Sequence, residues 1–166
     1  DVEFIPAELE ALRDYRSSPF RIVLVTNQSA VGRGLISLKQ AQRLNQRITT
    51  VVEQAGGRVD GTWMCPHAPQ ENCACRKPQP GLLLQAATAL NLDLSRSYMI
   101  GDALSDLKAG RAAGVREAML VRTGRGCRQA SLPEAALLQP FRIFDSLAEA
   151  LNHISSQFDL EFKKTL

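Results

Sequence analysis

No apolar run in this chain approaches the roughly 20 residues that a membrane-spanning helix needs, and Asp1-Val2-Glu3-Phe4 shows neither the positive nor the apolar stretch of a secretory leader. Dense basic tracts are missing too. Lys and Arg are scattered, and a formal charge of +3 leaves no patch to follow a nucleic-acid backbone. Internal repeats, low-complexity tracts and linkers are absent, which argues against arrays and for one domain. The expectation is a cytoplasmic protein whose partners are neither membranes nor nucleic acid. The 166 residues present suffice to bury a continuous core without disulfides. A composition of 45% apolar and 22% charged residues is that of a globular chain.

Strand-length apolar runs alternate with helix-period stretches, so the expected fold class is α/β: a Rossmann-like parallel sheet with helices on both faces. Helices are predicted from Glu8 to Tyr15, from the capping box at Ser37 and Gln40 to about Gln54, from Pro80-Gly81 through Leu90, and from Leu104 to a stop at Gly114. A weaker helix is predicted near Pro133 to Leu138, and a last one opened by Ser146 with Glu149. Strands are predicted at Phe20 to Val25, a buried one, and at Val59 to Met64, Tyr98 to Ile100, Ala118 to Val121 and Phe141 to Phe144. Loops are expected around Gly32-Arg33-Gly34 and Gly124 to Gly126.

Three of the four cysteines fall within eleven residues, as Cys65-Pro66-His67 followed by Cys73-Ala74-Cys75. Three thiolates and an imidazole can close a tetrahedron around Zn²⁺, and the lack of an open position marks such a site as structural. A Cys73–Cys75 disulfide would be strained across a single residue, and idle thiols are the remaining reading. Cys127 stands apart as an ordinary thiol.

Arg76 and Lys77 follow the last of these cysteines, ahead of Pro78 and Pro80, so a pinned loop hands two cations to a stiffened segment. A fixed ammonium suits phosphoryl transfer, where donors must already be in place to meet charge on the moving oxygens; solvated surface charges are the bland alternative. Thr26 and Asn27 end one predicted strand, and Gly101-Asp102 ends another. Ligands of open α/β sheets bind at that edge. Thr26 can donate to a phosphate oxygen, Asp102 can offer a hard oxygen to Mg²⁺, and Asp106, one helical turn on, can orient Lys77. A Thr-Asn turn and a helix cap at Gly-Asp explain the same residues separately.

Val25-Thr26-Asn27-Gln28-Ser29, the Cys–His loop, Cys75-Arg76-Lys77-Pro78 and Gly101-Asp102-Ala103-Leu104-Ser105-Asp106, in this order, make the chain resemble phosphatases of the haloacid dehalogenase superfamily. The resemblance is to their zinc-loop branch, which lacks a large cap and removes phosphate from small metabolites: a sugar bisphosphate first, histidinol phosphate as the rival. It implies that Thr26 and Lys77 stabilise the phosphoryl group and that Arg76, Asn27, Gln28 and Ser29 meet the substrate. Asp102 would bind Mg²⁺, and Cys65, His67, Cys73 and Cys75 would hold Zn²⁺. It also implies a monomer and a small phosphorylated sugar as partner.

Two departures stand out. Ala103 sits where a substrate-contacting base is common in the branch, and the strand ending in Asp-x-Asp-Gly, whose first Asp is the family's nucleophile, is not found in residues 1–166. The expectation is one N-terminally incomplete domain over 1–166, catalytically inactive as it stands, with a gap in mid-sheet. A zinc-stabilised binding module that has lost catalysis is the competing reading.

Overall fold

Short β-branched runs and the helix-period stretches between them fold as parallel strands and their crossovers. The computed structural model describes residues 4–164, in the order α1 (Pro6–Asp14), β1 (Val23–Asn27), α2 (Ser29–Gly32), α3 (Leu38–Gln54), β2 (Gly61–Cys65), α4 (Gly81–Leu90), β3 (Tyr98–Gly101), α5 (Leu104–Ala113), β4 (Glu117–Val121), α6 (Gly126–Ala130), α7 (Pro133–Leu137), β5 (Ile143–Phe144) and α8 (Leu147–Lys164). The capping box forms as expected: Ser37 Oγ accepts from the Gln40 N–H at 3.2 Å, and Gln40 Oε1 accepts from the Ser37 N–H at 2.7 Å. No helix of the described residues is long and apolar enough to cross a membrane.

The elements differ from expectation where side chains compete for the backbone. β1 starts at Val23 rather than Phe20, because Phe20 turns into an aromatic group with Tyr15 and Tyr98 and the Ile22 N–H is taken by a carboxylate. The expected loops at Gly32 and Gly126 each touch a short helix, α2 and α6.

β1 pairs in parallel with β2, from Val23 opposite Gly61 to Asn27 opposite Cys65. β3, β4 and β5 form a second parallel sheet in that order. Among the described residues the two sheets share no ladder. A cavity of about 780 Å³ lies between them, lined by Val23 to Asn27 on one side and Tyr98 to Gly101 on the other. The reading of the first strand as buried is therefore corrected: all five residues of β1 are only half-buried, whereas Ala118 to Val121 of β4, flanked on both sides, are buried.

Alternation along β4 sorts the core. Ala118 and Leu120 face Leu83 of α4 and Leu104 and Leu107 of α5, while Met119 faces Leu151 and Ile154 of α8. Each fully buried Leu in these layers contributes about 1.5–3 kcal/mol. Thr26 in β1 and Asp102, just past β3, both line the cavity, and Lys77 bonds to the Val25 carbonyl of β1 and to Asp106 of α5, so the carboxyl ends of the two strands lie together there.

The foot of the first sheet is held by Asp60. Its N–H donates to the Ile22 carbonyl at 2.7 Å, its Oδ2 accepts from the Ile22 N–H at 2.7 Å, and Arg21 and Arg58 approach its oxygens at 3.0 and 3.1 Å. Burial acts to raise the Asp60 pKa, but the Ile22 N–H and the two guanidinium groups outweigh it and hold the carboxyl below the ordinary range. A lowered folded-state pKa contributes stability above the unfolded value of about 4 and loses it as pH falls through the folded value. Asp60→Asn should therefore be less stable than wild type at pH 7, with the difference closing below pH about 4. Urea midpoints measured across that range test this; a constant difference would reject it.

Candidate active site and metal centre

Lys77 lies at the junction of the two sheets. Its ammonium donates to the Val25 carbonyl of β1 at 2.8 Å and pairs with Asp106 Oδ1 of α5 at 2.8 Å, with the two side chains only 11% and 5% exposed. A desolvated pair of this kind is stable only with further hydrogen bonds, and both members have them. Asp106 Oδ2 accepts from the Ala103 N–H at 3.1 Å. The Asn27 carboxamide brackets the Lys77 backbone, its Nδ2 donating to the Lys77 carbonyl at 3.0 Å and its Oδ1 accepting from the Lys77 N–H at 3.1 Å. Asp106 packs over Gly101 so closely that a Cβ there would lie 2.2 Å from Oδ2. Gly101 is thus what lets the carboxylate reach Lys77.

Thr26, Asn27, Ser29, Arg76, Lys77, Asp102 and Asp106 all line the cavity. Gln28 is not among its lining residues, and its N–H donates to the Cys65 carbonyl at 2.7 Å. The Asn27 carboxamide, expected to flank a substrate, is engaged by the Lys77 backbone. Arg76 Nη1 donates to the His67 carbonyl at 3.3 Å, so this cation is tied to the cysteine loop. Asp102 is partly exposed, and burial acts to raise its pKa, but hydrogen bonds from Arg125 outweigh this and keep it below the ordinary range.

Arg125 was not singled out from sequence. The available signal is its place in the Gly124-Arg125-Gly126 loop, just past the carboxyl end of β4. With Arg76, Lys77 and Arg125 against Asp102 and Asp106, the lining carries an excess of positive charge suited to a phosphate. A single carboxylate, Asp102, remains for a hard cation, since Asp106 is committed to Lys77. That fits Mg²⁺, which commonly takes one or two carboxylates and completes its shell with water and phosphate oxygens.

Cys65, at the end of β2, meets His67, Cys73 and Cys75 in one cluster whose donor atoms lie within 4.8 Å of one another. Cys65 Sγ is 3.5 Å from both His67 Nδ1 and Cys73 Sγ, and Cys75 Sγ is 3.2 Å from His67 Nδ1 and 3.4 Å from Cys73 Sγ. Ligand bonds of about 2.0–2.3 Å give a zinc tetrahedron edges of roughly 3.5–3.8 Å, so the array is close to that size. All four cysteines are free thiols, which sets the disulfide aside.

Crowding splits their acidities. Burial and the neighbouring Cys65 and Cys73 push the Cys75 thiol up to about 12, and burial also pushes Cys65 up. At Cys73 burial acts upward too, but hydrogen bonds from Cys75, Cys65 and backbone N–H groups bring it down to about 7. Zinc requires thiolates, so loading metal-free protein with Zn²⁺ at pH 7 should release protons, chiefly from Cys65 and Cys75, and affinity should rise with pH. Calorimetry in buffers of different ionisation enthalpy reads this release; a buffer-independent heat would contradict it. Stripping zinc should lower the melting temperature, whereas an unchanged melt would count against a structural ion.

Residues 74–150 match the family model described as HAD-hyrolase-like. The D-glycero-beta-D-manno-heptose-1,7-bisphosphate 7-phosphatase of Yersinia pestis is 40% identical over 130 residues, covering 74% of this chain and 69% of that protein. Its namesake from Neisseria meningitidis serogroup B is 32% identical over 157 residues, covering 93% of this chain and 83% of that protein. A crystal structure of D,D-heptose 1.7-bisphosphate phosphatase from B. bronchiseptica, complexed with magnesium and phosphate, shares the fold at a TM-score of 0.80 and 33% identity, over 92% of this chain and 84% of that one. Identity at this level, over most of each chain and on the same fold, makes this protein a member of the haloacid dehalogenase-like phosphatases, hydrolases of phosphoric monoesters.

Proposed function

We propose that the residues described form the phosphate-holding frame of a cytoplasmic, Mg²⁺-dependent phosphatase acting on D-glycero-D-manno-heptose 1,7-bisphosphate, in the making of a bacterial surface polysaccharide. The observation that carries the reading is the buried Lys77 ammonium, fixed between Asp106 and the Val25 carbonyl beside Thr26 and Asp102. Relatives bearing the heptose bisphosphatase name support the substrate.

In this reading Lys77 and the Thr26 hydroxyl donate to the phosphoryl oxygens. The value of Lys77 lies in being oriented beforehand, so it need not reorganise as charge moves onto those oxygens. Asp106 and Asn27 hold Lys77 in place, and Arg76 and Ser29, which line the cavity, meet the rest of the substrate, whereas Gln28 lies outside the lining and is given no contact. Asp102 is the ligand for Mg²⁺, which when bound would neutralise phosphate charge. The zinc loop has no part in the chemistry; it fixes the segment that delivers Arg76 and Lys77.

The nucleophile is assigned to an apolar strand ending in Asp-x-Asp-Gly, seated between β1 and β3, where its terminal carboxylate would face a phosphate held by Lys77. Attack of the first Asp on phosphorus forms an aspartyl-phosphate as the sugar oxygen leaves with a proton from the second Asp, and water that gives its proton back to that Asp then releases phosphate. The cavity between the unpaired edges of the two sheets supports this placement.

A second reading is a zinc-stabilised binding module, favoured by the compact Cys–His cluster. Protein carrying such a strand ahead of these residues should hydrolyse the heptose bisphosphate with Mg²⁺, and much faster than histidinol phosphate. Lys77→Ala should lower its turnover by roughly 10²-fold or more, the scale of removing one fixed transition-state donor. Faster histidinol phosphate turnover would reassign the substrate, a Lys77→Ala variant within a few-fold of wild type would remove Lys77 from the chemistry, and no turnover of either compound would favour the binding module.

A further inference from the structure

Asp102 makes one contact that neither phosphate binding nor the zinc loop requires. The Arg125 backbone N–H donates to Asp102 Oδ2 at 3.0 Å, its Nε donates to the same oxygen at 3.2 Å, and its Nη2 donates to Oδ1 at 3.0 Å. Both carboxylate oxygens are thus held by a guanidinium fork and an amide, the strong bidentate form of this interaction. The loop is shaped for the approach. Gly124 has a φ of +60°, and a Cβ there would lie 2.5 Å from Asp102 Oδ2, so this turn packs directly on the carboxylate.

A hard divalent cation needs an oxygen of the same carboxylate. Two cations cannot share that face of Asp102 without mutual repulsion, and the Arg125 side chain, 63% exposed, is free to swing away from it. We infer that Arg125 is a built-in competitor for Asp102 that a divalent cation must displace, so that the loop after β4 sets the metal affinity of the site. The inference rests on the reading of Asp102 as the Mg²⁺ ligand. It assigns Arg125 a positioning part that acts before any substrate arrives: it keeps the carboxylate neutralised and aimed at the cavity, at a cost in metal affinity.

Mn²⁺ binding to zinc-loaded protein, followed by the electron paramagnetic resonance of the free ion, tests this, with Mg²⁺ measured by competition. Arg125→Ala should bind Mn²⁺ about 3- to 10-fold more tightly than wild type, the worth of a partly exposed charge-assisted contact. Arg125→Lys keeps the charge without the planar fork and should shift in the same direction by less. Asp102→Asn should lose the site. Equal or weaker Mn²⁺ binding by Arg125→Ala, with Asp102→Asn still abolishing it, would overturn the competition while leaving Asp102 as the ligand. Wild-type Mn²⁺ binding by Asp102→Asn would overturn both.

Discussion

The Lys77 ammonium is the contact on which the rest of the site depends. It bonds on one side to a carbonyl of β1 and on the other to a carboxylate of α5, so it joins the two separately hydrogen-bonded sheets at their carboxyl ends. An unpaired ammonium in such a place would be costly, and so would a lone Asp106. Each is retained because the other is there. The pair also fixes an ammonium where both strands deliver their polar ends, and with Arg76 and Arg125 in the same lining the cavity keeps an excess of positive charge.

Several elements serve that one contact. Gly101 leaves room for Asp106, and the Asn27 carboxamide fixes the Lys77 backbone with two hydrogen bonds. The cysteine cluster closes the loop from Cys65 so that Arg76 and Lys77 emerge at a set point, and Arg76 is tied back to the His67 carbonyl. A metal at this cluster would make the loop's shape part of the folding free energy rather than a local option.

The cavity between β1 and β3 sets the opposite condition. Facing edges of two parallel sheets present backbone donors and acceptors that no strand among the described residues satisfies, and β1 stays half-buried along its length for that reason. Lys77 satisfies one of these groups, the Val25 carbonyl, and in doing so reaches the upper end of the slot. The binding frame and the opening beside it are therefore one piece of geometry, with charge collected at the mouth of a strand-shaped space.

Local rules were enough for much of this. The Ser37–Gln40 capping box, the Gly81–Leu90 and Leu104–Ala113 helices and the four-ligand cluster are short-range features, governed by turn chemistry, helix periodicity and ligand spacing, and the sequence by itself determined them. It also determined that Thr26 lies near the end of one strand, that Asp102 follows another, and that Lys77 comes two residues after the last of the clustered cysteines. Only the tertiary structure decided that the Asn27 carboxamide bonds to the Lys77 backbone, that Gln28 lies outside the lining, and that Arg125 pairs with Asp102. These outcomes depend on which groups separated by 23 to 50 residues arrive within hydrogen-bond reach, and spacing along a chain does not encode such distances.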